Sequence, residues 1–244
     1  MLAEATVKRE VVTDSRDLHA QGELSDTNLN DLLRARRSIK YFDSDVSISN
    51  EDMEDIIRAA SYAPSAFNLQ PWRIVQINSE SVRAKISDLA WRQPQVLTAS
   101  RLLLLAYDTC AWDRVSTYKQ FANEEVRNKV YSSISSVYKN NPSLARDEAI
   151  RASSLYAMNL LLAAQAKKYQ SCALTGFDFE GVAQLVNLPE GWQCCMLIAL
   201  GKASDENILR PQLRQEYKHY STTDVDLIRG KRADTELRIN GGIL

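Results

Sequence analysis

The sequence predicts a layered helix/sheet/helix fold, and two patterns along its 244 residues support that prediction. Segments with helical periodicity alternate with extended segments, which favours a sheet packed between helices. The extended segments at residues 100–108 and 192–203 are almost continuously apolar, as strands covered on both faces usually are. We therefore expect one layered domain, in which the order of the strands need not follow the chain.

Periodicity and cap signals place the individual elements in order. The segments with helical periodicity are residues 25–39, 47–64, 79–91, 146–169 and 179–188, and the extended segments are residues 72–78, 100–108 and 192–203. Ser25 and Asp26 are the cap candidates of the first helix, and Ser49 is the cap candidate of the second. Residues 171–178 are expected to form a turn around Gly176.

Composition and charge exclude several classes of function. The net charge is -1 and no basic stripe is present, so we expect no nucleic-acid partner. No apolar run has the length of a membrane span, and the N-terminus lacks a signal-peptide pattern, so we expect a cytoplasmic protein without a membrane partner. Cys194 and Cys195 are interpreted as buried hydrophobes on opposite faces of a strand. Because His is rare and no metal-ligand spacing occurs, we expect no metal site.

A cationic segment follows the first predicted helix. Residues 36–42 are expected to be extended, and in an extended chain Arg36, Ser38 and Lys40 point to the same side. A guanidinium, a hydroxyl and an ammonium group on one side suit a phosphate monoester. The segment by itself equally allows a solvated basic turn. A second cationic segment, residues 210–214, lies far along the chain.

The irregular stretch APSAFNLQPWRIV, residues 63–75, carries polar side chains of another kind. Ser65 and Asn68 lie between Pro64 and Pro71, which restrict the backbone. Hydroxyl and amide groups held in this way suit the N–C=O edges of a heterocycle. The alternative is a rigid connector from helix to strand, whose polar groups satisfy only their own backbone.

These segments, in this order, resemble the flavin-dependent nitroreductase family. The motifs are RRSIKYF, APSAFNLQPWRIV, QPQVLTAS and LLLAAQAKKYQSCALTGFD, and the resemblance covers residues 28–216. It implies an α+β fold with a mainly antiparallel central sheet, and an intertwined homodimer that holds FMN at its interface. It also implies an FMN-binding domain at 26–216. Outside the resemblance, residues 1–25 are polar without clear periodicity and are expected to form an N-terminal extension, and the polar arm at 217–244 is expected to pack on a partner subunit.

The resemblance further implies which residues hold the cofactor. The family pattern assigns contacts to the phosphate and ribityl chain, to the ring from the partner subunit, to the reactive nitrogen, and to the N1–C2=O edge. The contacts to the phosphate and ribityl chain match Arg36, Arg37, Ser38, Lys40 and Arg214. The ring contacts from the partner subunit match Pro64, Ser65 and Asn68, and the contacts near the reactive nitrogen match Thr175 and Gly176. The positions near the N1–C2=O edge are Arg92 and Gln95. No residue is assigned as acid, base or nucleophile, because FMN carries the chemistry.

The implied activity is an oxidoreductase that takes a hydride from NADH or NADPH and passes it to a nitroaromatic, a quinone or a similar small acceptor. Thr175 stands where the branch that reduces nitroaromatic prodrugs often has Glu, so the acceptor is left open. One alternative is a related branch that dehalogenates, fragments flavin or oxidises heterocycles. Another is a flavin-binding module without turnover. The aromatic residues between 112 and 140 are interpreted either as a lid over the flavin or as packing between helices.

Overall fold

A computed structural model describes residues 28–114 and 123–206. The helices are α1 (Leu29–Ala35), α2 (Asn50–Ala60), α3 (Glu80–Leu89), α4 (Pro94–Thr98), α5 (Glu124–Tyr138), α6 (Pro142–Ala166) and α7 (Phe179–Leu185). The strands are β1 (Trp72–Gln76), β2 (Arg101–Asp108), β3 (Gln170–Leu174) and β4 (Trp192–Gly201). Short 3-10 turns at Ala66–Asn68 and Ala111–Asp113 lie in the connections.

The strands form one antiparallel sheet in the order β1-β2-β4-β3. The order departs from the chain because β4 lies between β2 and β3, so the last described strand is central and the third is at an edge. β3 pairs with β4 only between Leu197 and Gly201. The antiparallel α+β fold that the resemblance implies is therefore confirmed.

Helices cover both faces of this sheet. Leu103 and Leu105 of β2 pack in one core with α2 and α6, whereas Leu102 and Leu104 pack in the other with α3, α4 and α7. Each of these leucines is fully buried, and burial of one leucine side chain contributes about 1.5–3 kcal/mol. The predicted helix/sheet/helix layers are confirmed, and the apolar run of β2 is explained by burial on both faces.

The adjacent cysteines of β4 lie in different cores. Cys194 packs in the layer of α3, α4 and α7, and Cys195 packs in the layer of α2 and α6. Burial raises the pKa of each thiol to about 11, so both remain neutral at physiological pH. Both are free thiols, and their interpretation as buried hydrophobes on opposite faces is confirmed.

Local cap signals predicted one helix start and missed another. Ser49 Oγ accepts a hydrogen bond at 3.0 Å from the N–H three residues on, so the predicted cap of α2 is confirmed. The cap of α1 is Asn28, whose Oδ1 accepts a hydrogen bond at 2.9 Å from the N–H two residues on. The prediction of Ser25 or Asp26 is wrong because a cap lies directly before the first helical residue, and α1 begins later than its pattern indicates.

The prediction of a turn over residues 171–178 is wrong in its first half, where β3 runs to Leu174. The segment is short and rich in small residues, so its own pattern does not indicate a strand. Its pairing comes from elsewhere: β4 lies on one side, and Ile39 N–H donates to the Ser171 carbonyl at 3.0 Å on the other. The predicted turn begins only after Leu174.

A polar cluster ties the end of α6 to α2. Lys167 Nζ donates to Asp52 Oδ1 at 2.7 Å and to Asp55 Oδ2 at 2.9 Å, and the Tyr169 hydroxyl donates to Asp52 Oδ2 at 2.8 Å. The hydrogen bonds from Lys167 and then Tyr169 lower the pKa of Asp52 below its usual 3.8. The cluster therefore stabilises the folded state most when Asp52 is ionised.

We expect Lys167→Met to lower the free energy of unfolding at neutral pH, and to lower it much less in acid. Asp52 has a lower pKa in the folded than in the unfolded state, so its contribution is complete above 3.8 and is lost as the pH falls through the lowered value. Urea denaturation of both proteins across this range measures the difference. If the difference in free energy of unfolding between the two proteins stays constant down to the most acidic pH at which both fold, the contribution of ionised Asp52 is contradicted.

The described residues form neither a membrane span nor a metal-binding cluster. None of the described helices is long and apolar enough to cross a bilayer. The described ranges also contain no group of three or more His, Cys, Asp or Glu that is placed to hold a metal ion.

Candidate functional site

The cationic segment lies along the outer edge of β3. Ser38 forms a parallel bridge with Ser171, and Ile39 N–H donates to the Ser171 carbonyl at 3.0 Å. Ile39 is buried, Arg37 is half-buried, and Ser38 and Lys40 are exposed. This alternation is the extended geometry that the sequence predicts, and it turns the polar side chains away from the core.

The charges of Arg36 and Lys40 act on the same point of β3. Burial raises the pKa of the Cys172 thiol, and the positive charges of Lys40 and Arg36 oppose that shift. Both charges can act on one buried thiol only if both lie close to its strand. Arg36 and Lys40 therefore both lie near β3, and their binding of one phosphate stays a prediction.

Thr175 and Gly176 form the turn directly after β3. Phe177 N–H donates to the Thr175 carbonyl at 3.2 Å, and Asp178 N–H donates to the Leu89 carbonyl at 2.9 Å. Within residues 28–114 and 123–206, the N–H groups of Thr175 and Gly176 donate to no other backbone group. Consecutive N–H groups with unused donors make a concave site for an acceptor atom.

The segment after α3 packs against this turn. Gln93 Nε2 donates to the Gly176 carbonyl at 2.7 Å, and Gln95 Nε2 donates to Gln93 Oε1 at 3.0 Å. A β-carbon at position 176 would lie 2.9 Å from Trp91 Cζ3, so glycine allows this close approach. Trp91 is 69% exposed and flanks the turn on its open side.

The structure separates the two residues that are predicted near the flavin N1–C2=O edge. Gln95 is fully buried and reaches the turn only through Gln93. Arg92 is exposed, and its Nε lies 3.0 Å from Asp88 Oδ1 in a surface ion pair. Contact of either residue with a flavin stays a prediction. Sequence reasoning missed Gln93, for which the available signal was its place two residues before Gln95 in QPQ.

Gln70 braces the PSAFN loop, which begins at the exposed Pro64. Its N–H donates to Ser65 Oγ at 3.0 Å, and its Nε2 donates to Asn68 Oδ1 at 3.2 Å. Phe67, Asn68 and Gln70 have φ values of 52°, 56° and 46°, in the left-handed region that costs non-glycine residues free energy. The connector interpretation therefore accounts for part of the loop, because Ser65 and Asn68 also bond within it.

Two anchors fix the far end of the loop. Trp72 is buried and stacks on Tyr156, with ring centroids 5.0 Å apart. Arg114 Nη2 donates to the Gln70 carbonyl at 3.3 Å, and Arg114 Nε lies 2.9 Å from Asp108 Oδ2. Burial lowers the pKa of Arg114, and the Asp108 charge opposes that shift. The strained loop is thus held by a largely buried ion pair.

Within one chain, the PSAFN loop and the Thr175–Gly176 turn lie at opposite edges of the sheet. The loop leads into β1 and the turn follows β3, and these are the two edge strands. Because neighbouring strands are about 4.8 Å apart, the width of the sheet separates them by about 14 Å. One chain therefore brings together the cationic segment, the turn and residues 91–95, but not Ser65 and Asn68.

The aromatic residues of the 112–140 segment pack within their own chain. Tyr138 is buried and meets Phe67 edge-on, with ring centroids 6.2 Å apart, and Trp112 joins the same cluster. The Tyr131 hydroxyl donates to Asp113 Oδ1 at 2.7 Å. For these residues the structure shows the packing interpretation, and the lid stays a prediction. The predicted residues outside the described ranges are Tyr118, Phe121 and Arg214.

Comparison with known proteins gives a consistent picture. The family model described as "Nitroreductase family" matches residues 33–202. Protein DrgA from Synechocystis sp. is 38% identical over 177 residues, which cover 72% of this chain and 84% of DrgA. YodC from Bacillus subtilis, assigned as an NAD(P)H nitroreductase, is 33% identical over 183 residues, which cover 72% of this chain and 90% of YodC.

A solved structure shares the fold. The protein from Exiguobacterium sibiricum 255-15, assigned as a nitroreductase and solved in complex with FMN, superimposes with a TM-score of 0.73 at 30% identity. The match covers 81% of this chain and 98% of that chain. The similarity therefore extends over nearly the whole of that protein.

Proposed function

The chain belongs to the nitroreductase family, and on this premise we propose how its site works. It is an NAD(P)H-dependent, nitroreductase-type oxidoreductase that uses FMN, in keeping with the relative assigned as an NAD(P)H nitroreductase and with the FMN-bound neighbour. We propose that it reduces nitroaromatics, quinones or similar acceptors in alternating two-electron half-reactions, with NAD(P)H leaving before the acceptor enters. When bound, FMN supplies the hydride chemistry.

We propose that Arg36, Ser38 and Lys40 bind the FMN phosphate. The support is their place along the outer edge of β3, where the charges of Arg36 and Lys40 converge at Cys172. Hydrogen bonds from cations to phosphate are roughly twice as strong as neutral ones, so this edge suits the dianionic end of the cofactor. Arg37 contributes its backbone N–H in this proposal.

The observation that carries the proposal is the pair of unused N–H groups at Thr175 and Gly176. They follow β3, whose outer edge the cationic segment lines, and the chain from Cys172 to Gly176 spans at most about 13 Å. A ligand with a phosphate at one end and an acceptor nitrogen in a ring at the other fits this spacing. The N–H groups orient the ring and stabilise negative charge that develops on it, without any acid or base side chain.

The N1–C2=O edge of the ring is proposed to face Arg92, with Gln95 acting on the site from behind. Arg92 reaches that edge by leaving its exposed ion pair with Asp88, and surface ion pairs of this kind contribute only about 0–1 kcal/mol. Gln95 is buried and acts on the site through Gln93. A positive group at this edge favours the reduced, anionic form of a flavin.

We propose that the active form is a homodimer in which each FMN lies between the two chains. The support is geometric, because the width of the sheet, about 14 Å, separates the PSAFN loop from the turn of the same chain. Exposed apolar side chains also favour an interface, among them Leu29 at 59%, Phe67 at 54% and Leu155 at 49%.

The proposed function is tested by following bound flavin through both half-reactions. We expect the purified protein to gain a flavin absorption spectrum with FMN, to lose it on anaerobic mixing with NADH or NADPH, and to regain it with menadione or nitrofurazone. Stopped-flow absorbance measures each step separately. A protein that stays colourless after incubation with FMN would overturn the proposal.

The same experiment separates the alternatives. Bound FMN that neither nicotinamide reduces would favour a related branch that dehalogenates, fragments flavin or oxidises heterocycles. Bound FMN that is reduced but returns electrons to no acceptor of the panel would favour a flavin-binding module without turnover. The rates of flavin reduction by NADH and by NADPH also show which of the two reductants the protein prefers.

A further inference from the structure

We infer that Gln93 is a positioning residue that orients the Thr175–Gly176 turn for the cofactor, and that Gln95 fixes the orientation of Gln93. We call these two side chains and the Gly176 carbonyl the glutamine relay. The inference rests on the proposed function, because it assumes that the turn faces FMN. It adds a residue that touches neither FMN nor substrate in the assignment above.

The relay adds a second restraint to the peptide that follows Gly176, beside the hydrogen bond from Phe177 N–H to the Thr175 carbonyl. Phe177 N–H and Asp178 N–H hold the residues after Gly176, and β3 holds the residues before it. Gly176 itself lacks a β-carbon and has more backbone freedom than any other residue type. Its carbonyl accepts the hydrogen bond from Gln93 Nε2 at 2.7 Å. Rotation at this residue, which would redirect the unused N–H groups, is therefore limited by Gln93.

The direction of each hydrogen bond in the relay follows from chemistry. A carbonyl only accepts, so the Gln93 group that faces Gly176 is the NH2 group, and the oxygen of Gln93 faces the other way. Gln95 Nε2 donates to that oxygen at 3.0 Å. Because Gln95 is fully buried, its amide has little room to rotate, and it keeps Gln93 in the donating orientation.

Packing does not explain an amide at position 95. Gln95 Oε1 is buried and has no hydrogen-bond partner among the described residues. A buried acceptor without a partner costs free energy that an apolar side chain of the same length would avoid. The amide nitrogen of Gln95 bonds Gln93, so support of the relay gives this residue a role that a hydrocarbon could not perform.

The test compares the FMN affinity of two substitutions of Gln93. If Gln93 only fills space, Gln93→Glu should bind FMN better than Gln93→Met. If Gln93 positions the turn, Gln93→Glu should bind FMN more weakly than Gln93→Met. Gln93→Met removes the donor, and we expect FMN to bind about 5- to 10-fold more weakly. Gln93→Glu keeps the shape but sets a carboxylate oxygen against the Gly176 carbonyl, so we expect still weaker binding. Fluorescence titration of each apoprotein with FMN measures the two affinities. The titrations are done at low and at high salt, because salt screens the long-range effect of the added charge and leaves the local effect at Gly176.

Gln95→Met and the double variant complete the test. We expect Gln95→Met to weaken FMN binding, and the double variant to resemble Gln93→Met, because the two residues act in series. Gln184→Met, on the exposed face of α7, is the matched control and should bind FMN as the wild type does. Melting of the apoproteins checks that the losses in affinity do not follow losses in stability.

The outcomes separate the relay from the proposed function. If the wild type binds FMN and Gln93→Glu binds it better than Gln93→Met at high salt, Gln93 fills space and the inference is wrong. Additive effects of Gln93→Met and Gln95→Met would also overturn it. A wild-type protein that binds no FMN would instead overturn the proposed function, before any variant is compared.

Discussion

Replacing Arg36 and Lys40 together by methionine is expected to weaken FMN binding by about 100-fold. The two charges converge on the edge of β3, and a charge-assisted hydrogen bond to phosphate contributes about 1.5–3 kcal/mol. Methionine keeps an unbranched side chain of similar length, so the apolar contacts of the stems are largely retained. Titration of the apoprotein with FMN, followed by flavin fluorescence, measures the change.

Two controls assign this loss to the phosphate. Arg58→Met/Lys85→Met removes the same charge from exposed positions on α2 and α3, and should change the affinity by no more than about twofold. Riboflavin has the same ring without the phosphate, and the wild type and Arg36→Met/Lys40→Met should bind it equally. If the double variant binds FMN as tightly as the wild type, the cationic segment is not part of the FMN site.

The parts of the fold that the sequence predicts are those that local patterns decide. β2 and β4 are apolar at nearly every position because both of their faces are covered by helices, so their patterns needed no tertiary information. Ser49 marks the start of α2 because the cap acts within one helical turn.

β3 and α4 could not be predicted in this way. β3 is a strand because β4 and Ile39 offer hydrogen bonds on its two sides, and those partners are distant in sequence. α4 spans five residues, Pro94–Thr98, which is too short for helical periodicity to be read. Pro94 at its first turn is compatible with a helix start but equally typical of a loop.

In the candidate site, too, local patterns predict some features, whereas others depend on contacts between residues that are distant in sequence. The alternation of Arg36, Ser38 and Lys40 follows from the extended backbone, so their shared side was predictable. The role of Gln93 depends on a hydrogen bond to Gly176, 83 residues further along the chain, which no local pattern encodes. The burial of Gln95 likewise follows from packing between layers and could not be read from its polarity.

The separation of the PSAFN loop from the turn could be predicted only through the family resemblance. The two segments are near in neither sequence nor space within one chain, since β1 and β3 lie at opposite edges. Residue types suggested a heterocycle at the PSAFN loop and a phosphate at the cationic segment, without indicating that one chain keeps the loop apart from the turn. The strand order adds a requirement that can be tested, namely that the PSAFN loop and the turn meet only at a site shared between two chains.

A mixed dimer of two differently disabled chains is expected to recover one intact FMN site. The first chain carries Arg36→Met/Lys40→Met, and the second carries Ser65→Ala/Asn68→Ala, for which we expect a loss of affinity of about tenfold or more. If each site takes its cationic edge from one chain and its PSAFN loop from the other, one site of the mixed dimer collects both lesions. The other site then carries none.

Co-expression with two different affinity tags isolates the mixed dimer, and titration with FMN gives affinity and stoichiometry. We expect one site per mixed dimer to bind with wild-type affinity, whereas both homodimers bind weakly at every site. If each chain built its whole site alone, the mixed dimer would contain two weakened sites and none of wild-type affinity. Because the two lesions lie at opposite edges of one sheet, recovery can arise only from a site shared between chains.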